Sequence, residues 1–386
     1  MTNAPYILYG MPLSLYTGKV RAYLIRRRIA FEERIAADPS FTSEIIPKIG
    51  RFIIPVLVTP EGEVWQDGSE IIDRLEERHP NDYPVVPTSQ SHAVIAHLFA
   101  LFGSEGLLRP AMHYRWNFDD QNLAYIREGF MEGVPIPRDN EAWEGFFLKA
   151  SGRMRAAKTA FGVNDDTVPT IETAYKEFLS LFNAHLKDHP FLLGDHPTIG
   201  DEGLYGPLFP HLGRDPVPSM IMKNEAHEVY RWTERLAHPG HRLGETLVDL
   251  ENPPATLTAL LVYIRDEYLA EIIAHIDFTE GWLAERPDLG VGESGVDKRS
   301  KRGLGFAEYE WRGQTISSVI MPYRLWLLER LQIAYASTEG PDREIVDKLF
   351  ADAGLTPMLT RRTSRPVLRE DNMEVWGAPR STELNA

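Results

Sequence analysis

The chain has no cysteine among its 386 residues. That excludes disulfides, thiolate metal ligands, a CxxC redox pair and a cysteine nucleophile, so any thiol chemistry must use a thiol brought by a ligand. Basic residues are outnumbered: 41 Lys and Arg against 56 Asp and Glu leave a net charge of −15. Such a field opposes nucleic-acid phosphates and anionic lipid, and neither partner is expected. No apolar stretch approaching the roughly 18 residues of a membrane span is expected, and the N-terminus lacks a basic-then-apolar leader. His185 and His189 have helical i,i+4 spacing, but Pro190 follows and no third ligand is near, so no metal site is expected. What remains reads as a cytoplasmic enzyme or binding protein with room for two or three cores.

Residues 6–79 alternate strands and helices. Tyr6–Tyr9 and Ile29–Ile35 read as strands, and Lys19–Arg28 and Thr42–Ile49 as helices. Val56–Val58 and Val64–Gln66 flank the turn residues Pro60 and Gly62, and Ser69–Arg78 closes the unit as a helix. The order is βαβαββα, which calls for a mixed sheet. The proline-rich stretch 81–91 reads as a linker. Helical periodicity follows around 92–108, 140–161 and 170–188, and Thr198 with Asp201 reads as a capping box. Pro253-Pro254 marks a second break. Beyond it, Leu257–Ile276 and Thr315–Ala336 read as helices, 290–303 as a loop and Phe306–Arg312 as a strand. The boundaries are 1–80, 91–245 and 250–386. Two basic runs, Arg26-Arg27-Arg28 and Lys298-Arg299-Ser300-Lys301-Arg302, read as solvated surface.

Three features of residues 1–80 converge. Ser14 lies in the loop after Gly10 and Pro12, just before a helix opens near Thr17, where an anion or thiolate is stabilised. Ile54-Pro55 precedes a strand that should be central. A cis peptide there would turn the Ile54 backbone outward to pair with an extended ligand. Asp67-Gly68-Ser69 opens another helix, offering amides to a carboxylate and an acid to an ammonium group. Together they form a groove suited to a peptide thiol that ends in an amino acid.

On Ile7–Arg21, Ile54-Pro55-Val56-Leu57 and Gln66–Ile72, residues 6–79 resemble the thioredoxin-like N-terminal domain of cytosolic glutathione transferases, with serine-type classes such as zeta and theta nearest. Gly194–Asp201 with Gly203-Leu204-Tyr205 resembles the capping box of that family's all-helical C-terminal domain. The resemblance implies an α/β thioredoxin-like domain, an all-helical domain, and then a mostly helical extension to which nothing transfers. It further implies a homodimer, glutathione as co-substrate, and Ser14 as the hydroxyl that activates the thiol. Tyr16 is the runner-up hydroxyl, with a ring packed at the domain interface as its other reading. Ile54, Pro55, Asp67, Gly68 and Ser69 would bind the rest of glutathione. The chain departs from the family at one pair: Glu or Gln followed by Ser is usual, and here Asp67-Gly68 stands in its place.

The other substrate would be a small hydrophobic electrophile walled by Met11 and Leu13, with Tyr114 or Arg115 orienting it. The alternative for the latter two is packing between helices, with Arg115 paired to an acid. The implied role is detoxification. Glutathione-dependent isomerisation, ether or carbon–halogen cleavage, and a non-catalytic scaffold on the same fold remain open.

Overall fold

The computed structural model describes residues 4–296 and 301–381. β1 (Tyr6–Gly10) is followed by α1 (Leu15–Arg26) and β2 (Phe31–Ile35). A π-turn at Phe41–Ile45 then runs into α2 (Ile46–Ile49), ahead of β3 (Val56–Val58), β4 (Val64–Gln66) and α3 (Gly68–Arg78). The sheet order is β2-β1-β3-β4, with β1 and β2 parallel and the other pairs antiparallel. The period-two alternation of β1 sends Tyr6 and Leu8 into the main core and Tyr9 to the opposite face, against Phe41, Ile45 and Val56. This is the mixed βαβαββα sheet expected of a thioredoxin-like domain.

The second region is helical: α4 (Gln90–Leu101), a π-turn at Phe102–Gly106, α5 (Leu108–Trp116), α6 (Asp119–Met131), α7 (Glu141–Ala160), α8 (Val168–His185), α9 (Ile199–Leu208), α10 (Pro216–Glu225) and α11 (His227–Leu236). The expectation that no apolar stretch approaches a membrane span is corrected: Gln90–Trp116 has that length and composition, but 83% of its apolar window is buried inside the protein, as in a core helix. Glycine lets it approach α9 closely: a Cβ on Gly103 would lie 2.3 Å from the Leu204 amide nitrogen. Thr198 and Asp201 make the expected capping box, and Asp201 also accepts from the Leu192 amide and the Trp232 indole. His185 is held by Thr256 and the Leu192 carbonyl.

The C-terminal region holds α12 (Ala255–Ile264), a π-turn at Arg265–Leu269, α13 (Ala270–Ala284), β5 (Gly305–Trp311), β6 (Gln314–Ile320), α14 (Pro322–Ala336), α15 (Gly340–Ala353), α16 (Thr356–Thr360), β7 (Val367–Glu370) and β8 (Met373–Trp376). The expected helix over Thr315–Ala336 is therefore corrected. Its first residues pair with β5 as a hairpin, and the helix begins at Pro322, where proline suits a first turn. The region is no appendage. One apolar core runs from Tyr6 through α4 to Leu331 and Trp376, and Arg330 of α14 grips Asp73 of α3 with an Nη2–Oδ1 distance of 2.9 Å.

The run Arg26–Arg28 is also corrected from solvated surface at Arg26 and Arg27, while Arg28 is exposed. Arg26 pairs with buried Glu202, Arg27 donates to the His79 carbonyl and Arg28 to the Pro239 carbonyl, so the run fastens α1 to its surroundings. In the second run, 298–300 lie outside the described residues. Lys301 is exposed and Arg302 is half-buried, facing the Tyr323 ring.

Candidate active site

Ser14 is the N-cap of α1. Its backbone is extended (φ −77°, ψ 124°), and its Oγ accepts from the Thr17 amide at 3.3 Å. A serine hydroxyl both accepts and donates, so this cap leaves the Ser14 proton available to a ligand. The first turn of α1 contains no acid, so an anion at this helix end meets a favourable dipole without a competing carboxylate. Gly10 permits the tight turn: a Cβ there would fall 2.1 Å from Thr17 Cγ2.

Three arginines hold the carbonyls of the same loop. Arg21 donates to Met11 O at 3.2 Å, Arg214 to Pro12 O at 2.9 Å and Arg115 to Leu13 O at 2.7 Å. Arg115 is itself clamped on Asp215 through two bonds of 2.7 and 2.9 Å. Its role is to position the Ser14 loop, and the expectation that it orients an electrophile is corrected. Tyr114 likewise lies in the core, stacked on Phe118 and packed against Tyr175. Leu13 is fully buried against Gly129, so only half-buried Met11 of the expected second-substrate wall is accessible. The physical reason is that every residue of α5 is buried.

Tyr16 is also corrected as an alternative hydroxyl. It donates to Glu105 Oε1 at 3.1 Å, and burial together with the Glu105 charge pushes its pKa well above the ordinary phenol value. Its single proton is already committed.

Glu105 begins a buried chain of alternating charge. Arg324 bonds to Glu105 (3.1 Å) and to Glu271. Arg109 bonds to Glu271 (2.7 Å) and Glu267 (2.9 Å). Arg312 then links Glu267 to Glu177, both at 2.8 Å. Glu105 and Glu267 sit in π-turns, where the altered helical register turns a side chain inward. A carboxylate embedded in the apolar run around Phe102–Leu108 was the sequence signal for this chain, and it was missed.

At the other end of the groove, Ile54–Pro55 is cis, and β3 begins just beyond it, with Val56 paired to both Tyr9 and Gln66. Asp67 adopts φ 84° and caps α3 with its own carboxylate, accepting from the Ser69 amide at 2.9 Å and the Glu70 amide at 3.3 Å. Ser69 Oγ accepts from buried Lys19 Nζ at 2.9 Å. Burial alone would raise the Asp67 pKa, but Arg369 and Lys19 outweigh it and hold the carboxyl below the usual range. Asp67, Gly68 and Ser69 are thus together as expected, but buried and internally satisfied. They are not an open zwitterion receptor.

The family model for the glutathione S-transferase N-terminal domain matches residues 8–83, and that for the C-terminal domain matches residues 153–239. Both domains of the glutathione transferase family are thus present in the chain. Among solved structures, a glutathione S-transferase from Rhodospirillum rubrum F11 is 20% identical, the alignment covering 66% of this chain and 99% of that one with a TM-score of 0.39. Glutathione transferase GSTFuA3 from Phanerochaete chrysosporium is 16% identical over 62% of this chain and 99% of its own, with a TM-score of 0.42. CsGST63524 from Ceriporiopsis subvermispora, solved with glutathione, is 16% identical over 63% and 100%, with a TM-score of 0.40. No curated protein matches. The elements that carry Ser14, Ile54-Pro55 and Asp67 all lie within the matched N-terminal domain.

Proposed function

We propose that the protein is a glutathione transferase-like enzyme in which the Ser14 hydroxyl donates to the glutathione sulfur and stabilises the thiolate for attack on a small hydrophobic electrophile. The observation that carries this reading is the Ser14 cap, which spends the acceptor side of the hydroxyl on Thr17 and leaves its proton free beside a helix N-terminus. A hydrogen bond to the charged form and the helix end both lower a thiol pKa. Moving it from about 9 to about 6.5 corresponds to about 3 kcal/mol. The thiolate carbon–sulfur bond forms as the electrophile's leaving group departs with the electron pair. Met11 supplies the accessible apolar lip. A homodimer in the cytoplasm belongs to the same proposal, and sedimentation of the purified protein tests the assembly.

The buried state of Asp67–Ser69 favours a second reading, a non-catalytic protein that kept the fold. Turnover with model electrophiles separates the two. Ser14→Ala should lower kcat/KM about 10- to 1000-fold, the loss expected for one donor to a developing or stabilised anion. Failure of the wild type to bind millimolar glutathione or turn over would refute the enzyme reading.

A further inference from the structure

The C-terminal hairpin ends on the groove. β7 and β8 are joined by a two-residue turn, Asp371-Asn372, with φ of 47° and 64°. Its base is tied to the C-terminal region through Arg365, which donates to Gly377 O at 2.7 Å and Leu289 O at 2.6 Å. Its other end meets the first domain. Arg369 and Glu374 face each other across the two strands and are ion-paired. Arg369 also donates to Gln66 Oε1 at 2.7 Å and to Glu70 Oε2 at 3.2 Å, beside Asp67. Glu374 lies 3.8 Å from Arg51 Nη1, and Arg51 Nη2 donates to the Asn372 carbonyl at 2.6 Å.

The hairpin therefore presents a cation and a carboxylate side by side, the cation toward Asp67 and the carboxylate toward Arg51. Those are the charges that the end of an amino acid carries, in the orientation a receptor made of Asp67 and Arg51 would select. The fit is incomplete. Arg51 is 6% exposed, yet its Nε has no hydrogen-bond partner among the described residues and its Nη1 meets Glu374 only at ion-pair range. A buried guanidinium with donors unspent is a place where a ligand carboxylate would bind better than the hairpin does.

We propose that the β7–β8 hairpin is an internal ligand of the thiol groove: its Arg369–Glu374 pair occupies the site for the amino-acid end of glutathione, and the hairpin lifts when that ligand binds. This rests on the reading of the Ser14 groove as a glutathione site. Apparent affinity is then reduced by the fraction of molecules in which the hairpin is closed.

The test compares full-length wild type with the double variant Arg369→Gln, Glu374→Gln. The substitutions keep side-chain size, remove both charges together and leave Ser14 untouched. Calorimetric titration with glutathione should give binding about tenfold tighter or more in the variant. Equal or weaker binding by a folded variant overturns the hairpin proposal and leaves the function standing. No binding by either protein overturns the function and the hairpin proposal with it. Hydrogen exchange on the wild type gives a readout independent of variant folding: saturating glutathione should speed exchange across Val367–Trp376. Unchanged or slower exchange there, with glutathione bound, refutes the internal-ligand role.

Discussion

Glu271→Gln is the sharpest test of how the C-terminal region is built into the protein. The Glu271 carboxylate accepts from Arg109 Nη2 at 2.7 Å on one oxygen, and from Arg324 and Ser318 Oγ (3.3 Å) on the other. Burial opposes its charge, but Arg324 and Arg109 win and hold its pKa at about 2, against an ordinary 4.5. At about 1.36 kcal/mol per unit, that difference is worth about 3 kcal/mol of folding stability at neutral pH. Mutational experience leads to the same range: removing one partner of a buried ion pair costs about 3–5 kcal/mol, because the remaining charge stays buried. Arg324 would keep Glu105, and Arg109 would keep Glu267, which places the expected loss near the lower bound.

The sign of the pH effect follows from a folded pKa depressed below the unfolded one. The stabilisation is complete above about pH 4.5 and is lost as pH falls toward 2; about 2 kcal/mol of it should be gone by pH 3. Urea unfolding followed by tryptophan fluorescence, at pH 7 and at steps down to pH 3, measures both effects. The variant should unfold at lower urea with an unchanged m-value, and its stability should fall less between pH 4.5 and pH 3 than that of the wild type. A variant within about 1 kcal/mol of the wild type at pH 7, with the same acid dependence, would refute the assignment of Glu271 as the keystone of this chain.

Tyr16→Phe should leave kcat within about threefold of the wild type while lowering stability by about 1–2 kcal/mol, because the lost hydrogen bond serves Glu105 and not the ligand; a tenfold fall in kcat would return Tyr16 to the reaction. Arg115→Met leaves Asp215 buried without its ion-pair partner and releases the Leu13 carbonyl, so thermal unfolding should reveal a loss of about 3–5 kcal/mol, whereas wild-type stability would contradict the clamp. Two glycines should behave oppositely under denaturant titration. Gly10→Ala drives a Cβ into Thr17 and should cost about 1–3 kcal/mol. At Gly68 a Cβ meets its nearest atom at 3.5 Å, and Gly68→Ala should gain about 0.5 kcal/mol.

Much of the first domain was legible because its punctuation is local. Gly10 and Pro12 end a strand, Pro60 and Gly62 turn a hairpin, and β1 alternates between two cores. The capping box at Thr198 and Asp201 was legible for the same reason. Thr315–Ala336 was misread although a signal was present. Trp311-Arg312-Gly313-Gln314 is a hairpin turn, with φ of 47° and 81° at its centre, and burial alternates along β6 after it. The aromatic and basic run of α5 looked like a pocket wall because composition does not report burial. An arginine beside a tyrosine reads alike whether its partner is a ligand or Asp215.

The amino-acid end of the groove illustrates the deeper limit. That Asp67 would cap its own helix could have been read locally, since an acid two and three residues ahead of the Ser69 and Glu70 amides is a strong N-cap. That same capping spends the amides which the sequence had offered to a ligand carboxylate. The charges that then close over Asp67 come from far along the chain: Arg369 reaches Gln66 across 303 residues, and Arg51 reaches Asn372 across 321. No periodicity or motif connects positions so distant, because what joins them is the packing of α14 on α4 and of the hairpin on α3 and β4. A thiol end set by local rules and an amino-acid end set by tertiary contacts can change independently. Ser14 caps α1 through contacts within its own loop, while Asp67–Ser69 lies under Arg369 from the chain's own C-terminal region.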